Sequence, residues 1–523
     1  MPPTSSPEEA SSSSSIANLL NLPVKMERLK GILAGNGNKA GRDVNPDEYE
    51  PLRNSGDDVG DGEETVDDGE ICDTNATPFS WFEYTIFVLI GVAMLWAWNM
   101  FLAASPYFAS RFLNDPWSSQ NFQSAILSVS TVTNLGSMVV LTGLQRSADY
   151  PNRIKLALVI NTLAFALLTI STKYFRDASS KLYLSFLLVD VFFAALATGL
   201  FQNGAFAFAT SFGRPEYMQA IMAGQGVAGV LPALAQIISV LVVPPPPPPT
   251  QGDNSDEKPG PPDADPIGSA AFIYFLTAVL VSIFTLLAFL PLVRRHDQLV
   301  EARMANSRPD LLAADTPSHP HPHPHSHSHH DIQEAEQAAR RVVGLPALFR
   351  KLHWLAGAIF MCFVATMFFP VFTSKILSTH DGTSQPSRGR LFNPEVFIPL
   401  AFFFWNLGDL CGRVATMGKL AAAARRRPVI LFTVGVARLG FLPLYMLCNI
   451  RGRGAVISSD VFYLLLVQFP YGLTNGWLAS NSMVGAAEWV EEREREAAGG
   501  FMGLCLVAGL AAGSLLSFTA AGI

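Results

Sequence analysis

Charge is what this chain has least of. Only 15% of its 523 residues are Asp, Glu, Lys or Arg, where a soluble protein carries roughly a quarter. Cysteine is also scarce. The five (Cys72, Cys362, Cys411, Cys448 and Cys505) are scattered, which excludes a disulfide framework and a CxxC metal pair. No basic patch with interleaved aromatics is present, so nucleic acid is not an expected partner. No P-loop or nucleophile–base spacing appears, so the reading is not an enzyme and no cofactor is expected. The start of the chain has no basic segment leading into an apolar core, so no secretory signal is expected there.

What is there is apolar. Hydrophobic residues make up 49% of the chain, with 37 Phe. They gather in eleven runs near 82–107, 121–144, 154–171, 182–210, 217–243, 269–293, 354–377, 395–418, 428–450, 459–486 and 499–521. Runs of this length span a bilayer as helices. A lipid core leaves backbone groups no outside partner, so the helix is the expected form. The predicted class is an all-α polytopic membrane protein with the lipid bilayer as its surroundings.

The polar stretches divide the chain. Residues 1–78 are acidic and Ser-rich and are expected to be a disordered cytoplasmic tail; within it, Tyr49-Glu-Pro-Leu52 matches a sorting signal. Residues 79–293 would form an N-terminal bundle of six spans, with a Pro-rich loop at 244–266. Residues 294–350 make the largest gap. It holds seven His between His319 and His330, read as a low-complexity linker with no metal, and a short surface helix over Glu334–Val343. Residues 351–523 would form a C-terminal bundle of five spans. Lys and Arg favour one set of loops, with Arg294, Arg295 and Arg425–Arg427 among them. That bias puts the N-terminus in the cytoplasm and the C-terminus outside or in a lumen.

One run carries an acid and a base: Phe402-Phe-Phe-Trp-Asn406-Leu-Gly408-Asp409-Leu-Cys-Gly412-Arg413. Charges in a span are costly and face a partner or a wet cavity. Asp409 and Arg413 are four apart and share a helical face, with Asn406 beside them. Gly408 and Gly412 make a smooth strip for a neighbouring helix. The group suits a neutral solute rich in hydroxyls, or else it is an ion pair that pins two helices.

Further motifs then resemble the equilibrative nucleoside transporter family, as in a fungal member. They are Trp98-Asn99-Met100-Phe101 with Tyr107-Phe108, Ile221-Met-Ala-Gly224-Gln225-Gly226-Val-Ala-Gly229, Asn406-x-x-Asp409-x-x-Gly412-Arg413, Ala437-Arg438-Leu439 with Pro443, and Gly476-Trp477-Leu-Ala-Ser480. Ala97 stands where the family has Pro, and Trp477 where Tyr is common. The resemblance implies eleven spans in a six-plus-five arrangement similar to the major facilitator fold. It implies facilitative movement of nucleosides such as adenosine and uridine, or nucleobases, by alternating access.

It also implies site residues. Asp409 and Arg413 would hold the sugar, and Gln202 the base edge. Trp98 would stack on the base or line the pore, and Asn99 would orient Asp409. Gln225 would bond between helices near Gly224, Gly226 and Gly229. Arg438 would pair with an acid or a helix end in the gate. Asp190, deep in the fourth run, is either a proton relay or a satisfied buried acid. The alternatives are a proton-coupled transporter of an acidic organelle such as a vacuole, and a receptor or scaffold on a transporter fold. A monomer is expected, in the plasma or a vacuole-like membrane.

Overall fold

A computed structural model describes residues 79–145, 148–175, 178–242, 266–312, 343–380 and 389–520. The tail, the Pro-rich loop, the His-rich stretch and the expected helix at Glu334–Val343 lie wholly or almost wholly outside the described residues. The regular structure among the described residues is helical apart from one isolated bridge, Ile376 to Ile450.

The helices begin and end where local chemistry requires it. Helix α1 runs Trp81–Ala103, passes unbroken through Ala97, and is followed by the short α2, Ser105–Arg111, with Pro106 in its first turn. Proline has no N–H to lose at that position. The same device starts α3 (Pro116–Gly143), α4 (Tyr150–Tyr174) and α6 (Pro215–Val242). The carboxylate of Asp149 accepts from Asn152 N at 2.9 Å and caps α4; Ser179 caps α5, Ser180–Ser211. Gly213, at φ +68°, makes the tight turn from α5 to α6, a backbone region open to glycine.

The sixth run is longer than the sequence reading allowed. Helix α7 covers Pro266–Leu312 and continues through 294–312, which the polar composition places in the loop. That stretch is charged, but Arg, Leu and Ala make up about half of it, and these favour helix in water too. The second half holds α8 (Leu345–Thr366), α9 (Phe368–Thr373), α10 (Pro394–Val414), α11 (Lys419–Arg425), α12 (Pro428–Ala437), α13 (Phe441–Met446), α14 (Phe469–Glu488) and α15 (Arg495–Ser517). A π-helical stretch, Phe462–Gln468, leads into α14.

Ten of the described helical segments are long and apolar enough to cross a membrane; the segment from Phe462 to Glu488, which opens on the π stretch, covers the tenth run of the sequence. Exposed Leu, Val, Ile and Phe cover the outer faces, as lipid contact requires. Helices α1 and α6 cross with backbones in contact, because a side chain at Gly91 or Gly224 would strike Ile221 O or Val88 O. Helices α10 and α14 interlock in the same way through Gly408, Gly412, Gly472 and Gly476.

The first six long helices and the last five meet mainly toward one end. There α15 lays Gly499 and Gly503 on Phe206 of α5, and α6 lies along α10. This is the end where α1 begins. At the same end Glu83, only 1% exposed, accepts from the Tyr217 hydroxyl and pairs with Arg295 Nε at 2.8 Å, tying α1 to α6 and α7.

Candidate functional site

A cavity of about 180 Å³ starts at mid-helix and continues toward the opposite end. Its walls come from both halves of the chain: Met94, Trp98 and Phe101 of α1, Asn134 of α3, Asn161 of α4, Gln202 of α5, Met367 beyond α8, and Ser514 of α15 among them. The lining is mostly apolar with a few amides and hydroxyls. Such a surface grips a flat, partly polar molecule.

Trp98 lies parallel to Phe101, with ring centroids 6.0 Å apart and planes 4° apart. Gln202 is 5% exposed, and its Oε1 has no hydrogen-bond partner. The buried Oδ1 of Asn134 is also unpartnered. Asn161 differs, since its Nδ2 donates to Ser282 Oγ at 2.8 Å. Two amide oxygens on one cavity wall thus lack a donor. A group left so costs about 1–3 kcal/mol unless something supplies the bond.

Asp409 and Arg413 are not on this wall. Each is 4% exposed and held between α10, α14 and α6. Arg413 Nε donates to Asp409 Oδ2 at 2.6 Å. Its Nη1 donates across to α6, to Met222 O at 3.0 Å and Gln225 Oε1 at 2.9 Å. Gln219 Nε2 donates back to Arg413 O at 3.4 Å. The other oxygen of Asp409 accepts from Asn475 Nδ2 at 2.7 Å. Gln225 Nε2 in turn reaches the Met94 sulfur at 2.9 Å, and Met94 lines the cavity. The pair therefore touches the cavity through Gln225 and, in this state, joins the two halves of the molecule.

Several expected roles change. Asn99 does not orient Asp409: its Nδ2 donates to Ala228 O on α6 at 2.7 Å, a bare carbonyl within closer reach. Asn406 shares the helix but bonds neither charge. Its Nδ2 returns to Phe402 O at 2.9 Å, and its Oδ1 faces Gly229. Arg438 has no carboxylate within ion-pair distance among the described residues. It is 1% exposed and donates to Tyr471 O at 3.3 Å, Thr474 Oγ1 at 3.4 Å and Thr366 Oγ1 at 3.2 Å, with its guanidinium over the Tyr471 ring. Gly226 lies against Leu410 and Arg413, and Gly412 against Leu473 and Trp477. Asp190 is 4% exposed, and its Oδ2 has no partner.

Sequence reasoning missed Asn475 and Thr366. Thr366 Oγ1 donates to Asn475 Oδ1 at 2.6 Å, so a continuous polar chain runs Arg438, Thr366, Asn475, Asp409, Arg413, Gln225. The signal was present: Asn475 sits between Gly472 and Gly476 in an otherwise apolar run, an amide flanked by the residues that let a neighbouring helix come close.

Comparison with known proteins agrees with this architecture. The family model described as "Nucleoside transporter" matches residues 188–521. The Nucleoside transporter FUN26 of Saccharomyces cerevisiae is 28% identical over 466 residues, covering 83% of each chain. The Equilibrative nucleoside transporter 3 of Rattus norvegicus is 24% identical, covering 82% of this chain and 87% of its own. Among solved structures, the major facilitator proton:xylose symporter XylE bound to 6-bromo-6-deoxy-D-glucose aligns with a TM-score of 0.52 at 11% identity, over 84% of this chain and 86% of that one, a likeness of fold. With more than half its length matched by the family model, the chain belongs to the nucleoside transporter family.

Proposed function

We propose that the protein moves nucleosides across its membrane by facilitative alternating access, with the base in the cavity between Trp98 and Gln202 and the ribose toward Asp409 and Arg413. The observation that carries this reading is the unpartnered, buried Gln202 Oε1 on a wall that also holds the Trp98 ring. A base offers ring or exocyclic N–H groups to such an oxygen and a flat face to an indole.

The sugar requires a change of state. Each Asp409 oxygen accepts one protein donor here and keeps capacity for another. Ribose hydroxyls reach that capacity when α6 draws away from α10. The motion breaks the Arg413 bonds to Met222 and Gln225 and opens the end at which the two halves now meet. A neutral solute passes without adding charge to the ion pair. The bias of Lys and Arg supports a cytoplasmic N-terminus.

The test separates base from sugar. Trp98→Ala and Gln202→Leu should weaken binding of nucleosides and free nucleobases alike. Asp409→Asn should weaken nucleosides while leaving nucleobase binding unchanged. If all three variants weaken both classes equally, the assignment fails.

A second reading, proton coupling, has one observation in its favour. Asp190 is a buried carboxyl with an unpartnered oxygen, next to Val191 on the cavity wall. Lone acids in spans serve proton pathways. On that reading Asp190→Asn abolishes the response of uptake to an inward acid gradient; an unchanged response removes Asp190 from the mechanism.

A further inference from the structure

A second concavity lies away from the transport cavity, at the end where α1 begins. It is a groove of about 310 Å³ lined by Lys351, His353 and Trp354 of α8, Pro428 and Val429 of α12, and Trp489 after α14. We propose that it binds an anionic glycerophospholipid of the adjoining leaflet, beyond the transport function and independent of it.

The position is that of a membrane boundary. Arg350 and Lys351 precede an unbroken apolar stretch of α8, and Arg425–Arg427 directly precede the apolar α12. Trp354 and Trp489 are 38% and 43% exposed, and Val429 is 48% exposed. Tryptophans of this kind settle at headgroup depth. Trp354 is fixed edge-on to Phe432 at 5.4 Å, and Trp489 Nε1 donates to Arg425 O at 3.0 Å. Both rings are therefore held in place as walls, with apolar Val429 between for an acyl chain.

The charge balance selects an anion. Most nearby acids are already engaged, Glu494 by Lys351 at 2.6 Å, with Glu491 3.9 Å from the same amine, and Glu488 by Arg425 at 2.8 Å, which leaves the exposed Glu492 as a single acid facing several arginines. Arg350, Arg426 and Arg427 are exposed and make no ion pair among the described residues. A guanidinium offers a planar fork that matches a phosphate. Basic residues beside an apolar slot bind a headgroup and its chain together, where a free phosphate would gain nothing from the two indoles.

The test uses the purified full-length protein. It is placed in nanodiscs of phosphatidylcholine mixed with phosphatidylserine, and the lipid retained after detergent extraction is counted by native mass spectrometry. Wild type should retain phosphatidylserine over phosphatidylcholine. The triple variant R350Q/R426Q/R427Q should lose that preference by roughly tenfold. Val429→Trp, which fills the groove and leaves every charge in place, should lose it too. Lys155→Gln, a cation at the same end of the other bundle, should keep it. Equal retention of the two lipids by wild type overturns the proposal. So does a preference that survives Val429→Trp, or one that Lys155→Gln reduces as much as the triple variant, since either would mean diffuse attraction to the surface.

Discussion

Arg413→Lys separates a bracing charge from a reading group. The substitution keeps a cation four residues from Asp409 and removes the fork. In the native protein Nε serves Asp409 while Nη1 serves Met222 O and Gln225 Oε1. An ammonium is compact and sits on a flexible stem, so it cannot hold both directions with one geometry. Hydrogen bonds to a charged group contribute about 1.5–3 kcal/mol each. Water and the retained ion pair recover part of that, so the net loss is taken as at least about 1.4 kcal/mol, or roughly tenfold in affinity. The loss falls on binding because Gln225, once released from Arg413, no longer fixes Met94 at the cavity wall, and Asp409 loses its orientation. Arg413→Lys should reach the membrane in normal amounts and bind adenosine at least ~10-fold more weakly, measured by scintillation proximity on purified protein. Wild-type affinity in this variant would refute the reasoning and leave the pair as a brace between helices.

Other expected outcomes follow from the same geometry. Asp409→Asn should lose most discrimination between ribose and 2′,3′-dideoxyribose nucleosides, roughly 10- to 150-fold for a charged hydrogen bond, seen in competition binding; retained preference would contradict the sugar role. Asn475→Leu removes the donor to one Asp409 oxygen and should lower nucleoside affinity while Asn475→Asp fails to restore it, because a second carboxylate there repels the first; titration with labelled uridine checks both. Gly476→Ala places a methyl group against Asp409 O of α10, an overpacking that costs about 1–3 kcal/mol and should appear as a lower unfolding temperature in detergent. Deleting 311–332 should leave uptake per molecule unchanged and alter only abundance or trafficking, which surface labelling beside uptake would tell apart.

Much of the fold was legible because a bilayer leaves few choices. Long apolar runs must be helices, and the starts expected near 217, 395 and 428 fall close to Pro215, Pro394 and Pro428, where the helices begin. The extension of α7 to Leu312 was not legible from apolar length, since beyond 293 the helix follows intrinsic propensity. The π turn at Phe462–Gln468 carries no sequence mark that separates it from a plain helix. At the site, the four-residue spacing placed Asp409 and Arg413 together. Their partners depend on which helices come into contact, and spacing along one helix says nothing of that. So Asn475 went unnoticed, and Asn99 was aimed at a carboxylate when the nearer acceptor was Ala228 O.

A facilitative carrier moves nucleosides down their own gradient. Uptake of radiolabelled adenosine and uridine into proteoliposomes, with and without a pH gradient, tests it most directly. Uptake should be saturable with no pH gradient, competed by the unlabelled nucleoside and weakened in Asp409→Asn. Uptake seen only with inward acid would contradict the facilitative mechanism, and retained binding without any uptake would contradict transport itself.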